Sequence, residues 1–335
     1  NPHDVLGYPK SVQFGYTPDE YTGRTITDLP PTVTEQLLKN GKPMAQLQTN
    51  IAADGLLGVL RNDDMKLNYL NFYAYLLTKI DGEIGKFIDV LYDGTKGSRL
   101  ADDAVVIRLA DHGEMGMSHG GMRQKAFVAY EEALRIPMVI SNPIVFNKKE
   151  SSDELATLID IFPTISEIVG VPKDSNARGE SLIPIIEEGK SVQDSILFTF
   201  DDTKSGSNNL PSSVKATNRL RAIRTHDWKY TYYFDSLGRY QKEYELYDLV
   251  NDTEELHNLA YKPKYREQRE YLHQQLMELE ERKLRVNEVF VNKNNQYEYK
   301  TWVETNPNFE TYAYNDMEGY ERESFDNNEE KNTEK

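Results

Sequence analysis

The stretch 105-VVIRLADHGEMGMSHGGMRQKAFVAYEEALRIPMVISNP-143 decides how this chain is read. Its opening run, Val105-Val106-Ile107-Arg108-Leu109, is mostly apolar and β-branched and predicts a largely buried strand within 103–110. Asp111-His112-Gly113 then falls where that strand ends. In open α/β sheets, ligands bind beyond the strand tips, where loops converge on a rigid support. A carboxylate and an imidazole at such a bend can both turn toward one divalent ion, and calcium favours the oxygen ligand. His119 and Lys125 follow eight and fourteen residues after Asp111, joined by Gly113, Gly116, Gly120 and Gly121, which let the backbone fold tightly back over the strand end. Two histidines and a lysine around a metal would make a pocket for an anion. Glu114 can either orient His112 or stand in solvent, and Arg135 is expected to pair with Glu131 four residues earlier.

Working outward, apolar residues recur at helical spacing from Leu67 through Leu70, Tyr73, Leu77, Ile80, Ile84 and Phe87 to Leu91, predicting a helix over 65–91 that Asp93-Gly94 ends. A second strand is predicted at 137–141, then a helix over 153–169 in which Pro163 starts a new turn. Strand, helix and strand with short connections argue for a βαβ-type sheet. Asp160 reads as a structural residue facing the core. Beyond residue 190 the pattern changes to strands at 195–200, within 219–235 and at 243–249, closed by a charged helix over 262–286. Six prolines interrupt residues 1–60, where only short helical pieces are expected. His226 and His257 read as structural.

Composition narrows the classes. The chain has 335 residues, 38% hydrophobic and 28% charged, enough for one large domain or a large and a small one. Its net charge is -16, and residues 301–335 hold ten acidic against three basic residues, so the body is only mildly acidic. No Lys/Arg stripe suits a phosphate backbone, which argues against a nucleic-acid partner. No apolar run approaches the roughly 20 residues of a membrane span. There is no cysteine, which excludes disulfides, zinc-thiolate sites and a cysteine nucleophile within these residues and leaves the compartment undetermined.

The order Asp111-His112-Gly113, His119-Gly120, Lys125, then Tyr130-Glu131-Glu132-Ala133-Leu134-Arg135-Ile136-Pro137 resembles a signature of the sulfatase family within the alkaline-phosphatase superfamily. Asn1–Pro9, the Asp-x-x-Ile-Gly of 81–85, 159-IDIFPTISEIVGV-171, 227-DWKY-230 and 245-ELYDLVNDTEELHNLA-260 resemble further segments of that family. The resemblance implies an α/β fold: an alkaline-phosphatase-like sandwich with a central mixed, largely parallel sheet, incomplete here, and a small C-terminal α+β subdomain with an antiparallel sheet. Residues 1–190 would belong to the catalytic α/β domain, 191–290 to the C-terminal subdomain, and 291–335 to an acidic tail. It implies that Asp111 and His112 are metal ligands, normally for Ca2+, that Lys125 contacts the sulfate, and that His3 binds the ester or protonates the leaving oxygen, with His119 as a further catalytic candidate. Mn2+ or Zn2+ would be the metal if the chemistry is that of a phosphodiesterase.

The implied activity is hydrolysis of a small-molecule or carbohydrate sulfate monoester. The family's nucleophile is a formylglycine made in a Cys/Ser-x-Pro-x-Arg motif, and these residues contain no such motif. The expectation is that this segment and the remaining metal-binding aspartates precede Asn1, and that these residues alone are inactive. The alternatives are a phosphonate monoester or phosphodiester hydrolase of the same superfamily, which His112 in place of the commoner Asn favours, and a non-catalytic binding homologue. Selectivity would lie in the loops of 10–50 and 203–217.

Overall fold

The structure, a computed structural model, describes residues 25–95, 99–146, 150–174, 177–202, 217, 219–235 and 238–284. Among the described residues the first elements are helix α1 (Met44–Leu57), which follows Pro43, and the long helix α2 (Asp63–Tyr92). The Asn62 side chain accepts from the Met65 amide at 2.9 Å, and Asp63 and Asp64 occupy the first turn, where the helix dipole favours acids. Strands β1 (Val106–Leu109) and β2 (Met138–Ser141) follow. Then come α3 (Ile161–Ile168), entered through a 3-10 turn at Leu158–Asp160, and α4 (Ile183–Glu188). Strands β3 (Ser195–Asp201), β4 (Arg219–Thr225), β5 (Trp228–Phe234) and β6 (Glu243–Asp248) and helix α5 (Arg266–Leu284) complete the described chain.

Strands β1 and β2 pair antiparallel, with Val106 opposite Ser141 and Leu109 opposite Met138. This differs from the parallel pairing that strand–helix–strand spacing suggests. A parallel return needs a crossover, usually a helix. The connection here carries only single turns at Ser118–Gly121 and Glu131–Leu134. Its two arms pair with each other instead, the Gly113 amide donating to Ala133 O at 2.9 Å and the Glu114 amide to Glu132 O at 3.0 Å. The polar stretch is thus a hairpin-like extension of the β1–β2 pair, and Asp111 sits just past its tip.

The four remaining strands form an antiparallel meander in the order β3-β4-β5-β6. Side chains alternate with period two, so each face has its own packing partner. Ile223, Tyr230 and Leu246 face Leu272, Leu276 and Leu279 of α5. Leu220, Ala222 and Tyr233 face Ala45 of α1 and Phe127 and Ala129 of the connection. A third cluster joins Met115, Met122, Val128 and Tyr130 to Leu37 and Tyr247. The returning arm of the polar stretch is therefore core, wedged against the meander. By contrast α2 leaves Leu77, Ile80, Phe87 and Val90 exposed, and Val139 of β2 and Phe162 of α3 are exposed as well. Among the described residues, no helix is long and apolar enough to cross a membrane.

Candidate functional site

Asp111 and His112 stand together on the surface at the tip of β1. Asp111 Oδ2 lies 3.3 Å from His112 Nε2, and the two side chains are 85% and 43% exposed. Asp111 Oδ1 accepts from the His112 amide at 2.9 Å, which fixes the carboxylate over the bend. His112 Nδ1 lies 2.9 Å from the Gly113 carbonyl oxygen. An oxygen acceptor there requires the proton on Nδ1, so the neutral ring turns the Nε2 lone pair toward the Asp111 carboxylate. Two lone-pair donors facing each other call for a cation between them or a proton on Nε2. A ring nitrogen donating to a backbone carbonyl while the other faces outward is also how metal-bound histidines are commonly oriented. The pair fits two of the positions around a divalent ion. Among the described residues, no group of three or more Asp, Glu or His side chains could hold a metal.

The backbone geometry of the connection explains the glycine at 113. A Cβ there would lie 1.9 Å from the Glu132 carbonyl oxygen, inside the pairing of the two arms. Glu114 does not orient His112. Its Oε1 accepts from the Gln124 amide at 2.7 Å and from the Tyr69 hydroxyl at 3.3 Å, tying the connection to itself and to α2. Tyr69 and Tyr73 of α2 flank this carboxylate. Burial, followed by the charge of Glu114, raises both phenol pKa values, and Asp111 adds to the rise at Tyr73.

Lys125 is partly exposed, and among the described residues it has no hydrogen bond or ion pair. It is carried by the backbone of the connection. That backbone is strained: Met117, His119, Gln124 and Phe127 have positive φ values of 73°, 48°, 73° and 58°. Among the described residues the only other non-glycine in this region is Glu255. The left-handed conformation costs a non-glycine residue about 1–2 kcal/mol, so the surroundings must over-determine it.

They do so through the side chains of the connection. Arg123 Nη2 donates to Asp54 Oδ1 at 2.6 Å and to Gly58 O at 2.7 Å. His119 is fully buried, with its amide on Thr32 Oγ1 at 2.9 Å and Nδ1 on Glu35 Oε2 at 2.6 Å. Nε2 faces Glu132 Oε1 at 3.6 Å, and the ring stacks on Tyr130 at 3.7 Å between centroids. Burial lowers the imidazole pKa, but Glu132 and Glu35 outweigh it and the net shift is upward. Burial likewise raises both carboxyls, but His119 together with Lys42 and Asn40 at Glu35, and His119 together with a backbone hydrogen bond and Ser118 at Glu132, outweigh it, so both shift down on balance. His119 is therefore an interior imidazole between two carboxylates, not part of the open face formed by Asp111 and His112. His3 lies outside the described residues.

Other expected pairings changed partner. Glu131 meets the buried Lys229 of β5 at 2.7 Å and Arg224 of β4 at 3.5 Å, while Arg135 is exposed. A buried ammonium needs a carboxylate far more than an exposed guanidinium does. Asp160 is fully buried and accepts from the Thr157 and Glu180 amides and from Gln193 Nε2, as a structural residue should. His226 and His257 are exposed in turns, 3.7 Å from Glu154 and 3.4 Å from Asp252. Glu35 carries no sequence signal: it lies 84 residues from the histidine it holds.

A donor pair at the tip of β1 and an antiparallel meander packed between α5 on one face and α1 with the connection on the other make up an α/β protein. The sulfatase family profile matches residues 2–171, and the profile of the N-sulphoglucosamine sulphohydrolase C-terminal region matches residues 119–282. The chain belongs to the sulfatase family. It is 26% identical over 278 residues to the Delta 4,5-hexuronate-2-O-sulfatase of Bacteroides thetaiotaomicron, covering 79% of this chain and 52% of that protein. Human arylsulfatase K is 28% identical over 204 residues, 58% of this chain and 34% of that one. A structure solved in complex with its substrate D-glucosamine-2-N,6-O-disulfate superimposes with a TM-score of 0.62 at 20% identity, covering 77% of this chain and 60% of the other. The chain thus spans about half the length of the first relative and a third of the second.

Proposed function

We propose that this chain forms part of the catalytic apparatus of a hydrolase acting on sulfate esters, with the sulfate carried by a sugar. The observation that carries the reading is the Asp111–His112 pair, a carboxylate oxygen and an imidazole nitrogen 3.3 Å apart at the tip of β1. In this reading Asp111 and His112 hold a divalent metal, Ca2+ by the family resemblance. When bound, the metal supplies positive charge against the sulfate oxygens. His112 keeps its ring turned through the Nδ1–H bond to the Gly113 carbonyl. Lys125, without an ion-pair partner among the described residues, offers its ammonium to the sulfate. Negative charge grows on the bridging oxygen as the S–O bond breaks, so a fixed cation beside the sulfate and a proton donor at the leaving oxygen both lower the barrier. His3 is the donor assigned to that oxygen. The formylglycine nucleophile would come from a Cys/Ser-x-Pro-x-Arg segment, which these residues do not contain.

The sugar assignment draws on the relatives: two of the similar proteins are named for sulfate on hexuronate or N-acetylglucosamine, and one solved neighbour holds a sulfated glucosamine. Hydrolysis of phosphonate monoesters or phosphodiesters is the second reading, favoured by His112 where asparagine is commoner. Relative rates decide between them. The enzyme containing this chain and its nucleophile segment, given a 6-O-sulfated or 2-O-sulfated monosaccharide, an aryl sulfate and an aryl phosphodiester at equal concentration, should turn over a sulfate at least tenfold faster than the phosphodiester. Faster phosphodiester cleavage would overturn the sulfatase reading.

A further inference from the structure

We propose that His119 is a positioning residue for Lys125: clasped between Glu35 and Glu132, it fastens the strained connection to residues 32–35 and thereby fixes where the lysine stands. The inference rests on the reading of Lys125 as the sulfate contact. Three observations support it. First, His119 is sealed from solvent, so it acts through its neighbours. Second, the attachment is multiple and local. Thr32 Oγ1 accepts from the His119 amide at 2.9 Å, Thr32 O accepts from the Gly120 amide at 2.9 Å, and Glu35 Oε2 meets the imidazole at 2.6 Å. A Cβ at Gly120, whose φ is +76°, would come within 2.8 Å of the Glu35 carbonyl oxygen, so the two backbones are in direct contact. Lys42, 3.3 Å from Glu35 and hydrogen bonded to Tyr247 at 2.8 Å, carries the attachment on to β6.

Third, Lys125 lies between Gln124 and Phe127, two residues held at positive φ, and among the described residues it has no hydrogen bond or ion pair of its own. If the clasp opens, the strain at Met117, His119, Gln124 and Phe127 is free to relax, and Lys125 moves with it. His119 need not touch the substrate for its loss to remove the lysine from the site.

Two measurements test this. In the 335-residue chain, hydrogen exchange followed by mass spectrometry compares the wild type with His119→Gln and Thr32→Ala, the second removing only an anchoring hydroxyl and methyl. Peptides covering 115–127 should exchange at least tenfold faster in both variants, with peptides of β4–β6 unchanged. Unchanged exchange in 115–127, or equal acceleration everywhere, would overturn the proposal. In the enzyme carrying its nucleophile segment, His119→Gln should lower kcat/KM for a sulfate ester at least tenfold, and the loss should largely vanish when Lys125 is already Ala. Losses that multiply independently would also overturn it. If Lys125→Ala alone leaves the rate at wild type, the catalytic reading of Lys125 fails, while the exchange result still reports on the clasp.

Discussion

Truncating Glu245 of β6 should destabilise the junction between the site and the meander by an amount that can be worked from its partners. Glu245 is 1% exposed. Its Oε1 accepts from the hydroxyls of Tyr247 at 2.5 Å and Tyr130 at 3.1 Å, and its Oε2 from Tyr233 at 2.7 Å and Gln46 Nε2 at 3.0 Å. Hydrogen bonds to a charged acceptor are worth about 1.5–3 kcal/mol each, but summing four would overshoot, because each hydroxyl has one proton and most have another acceptor. Tyr130 can donate to Gln46 Oε1 at 2.8 Å, Tyr233 to Phe127 O at 3.4 Å, and Gln46 Nε2 to Tyr233 Oη at 3.0 Å. Tyr247 alone is left without an acceptor. One stranded buried donor and a small cavity give about 3–5 kcal/mol for Glu245→Ala. Glu245→Gln keeps the volume but turns one acceptor into a donor, for about 1–3 kcal/mol. Urea unfolding at pH 7, followed by tryptophan fluorescence, measures both. A loss below about 1 kcal/mol for the alanine variant, or a glutamine variant at least as damaging, would refute the reasoning.

Other outcomes follow from the same contacts. Gly113→Ala pushes a Cβ into the Glu132 carbonyl and should cost about 1–3 kcal/mol in urea unfolding, and a loss near zero would mean that the arms can part freely. Asp160→Ala strands the Thr157 and Glu180 amides and should cost about 2–4 kcal/mol by the same assay. The His119 cluster makes stability depend on pH with a definite sign. The folded pKa of His119 lies above its ordinary 6.5, so its contribution is complete below about 6.5 and fades as pH rises through the folded value. Glu35 and Glu132 lie below their ordinary 4.5, so theirs is present above about 4.5 and is lost on acidification. With Lys42 and the Tyr130 ring as the other groups against this cluster, the stability difference between wild type and His119→Gln should be larger at pH 6 than at pH 9. A difference that grows toward pH 9 would contradict the assignment.

Elements with strong periodicity are legible in the sequence. The apolar spacing from Leu67 to Leu91 marks α2, and the aromatic alternation over 219–249 marks the meander. The Asp111–His112 bend followed from the end of an apolar run. Helix α1 is legible only as a short helical piece, because prolines crowd the segment ahead of it and its apolar positions form no sustained stripe. The antiparallel return was missed because spacing counts residues, not the hydrogen bonds between Gly113–Glu114 and Glu132–Ala133 that turn the connection on itself. Burial of His119 could not be read locally either. Its partner Glu35 is brought in by tertiary packing, and its left-handed backbone, which histidine adopts more readily than most residues, is fixed by contacts that no local pattern shows. Arg135 failed for a related reason: the local i,i+4 rule gave way to the buried Lys229.

The central claim is that Asp111 and His112 hold the cation used in hydrolysis. It is tested most directly by calcium dependence of aryl sulfate turnover in the enzyme carrying its nucleophile segment, with and without Asp111→Ala. The account predicts that the wild type loses activity on chelation and regains it with Ca2+, and that the variant is slower by about a hundredfold or more and is not restored at matched Ca2+. Wild-type rates from Asp111→Ala, with the same calcium response, would contradict it.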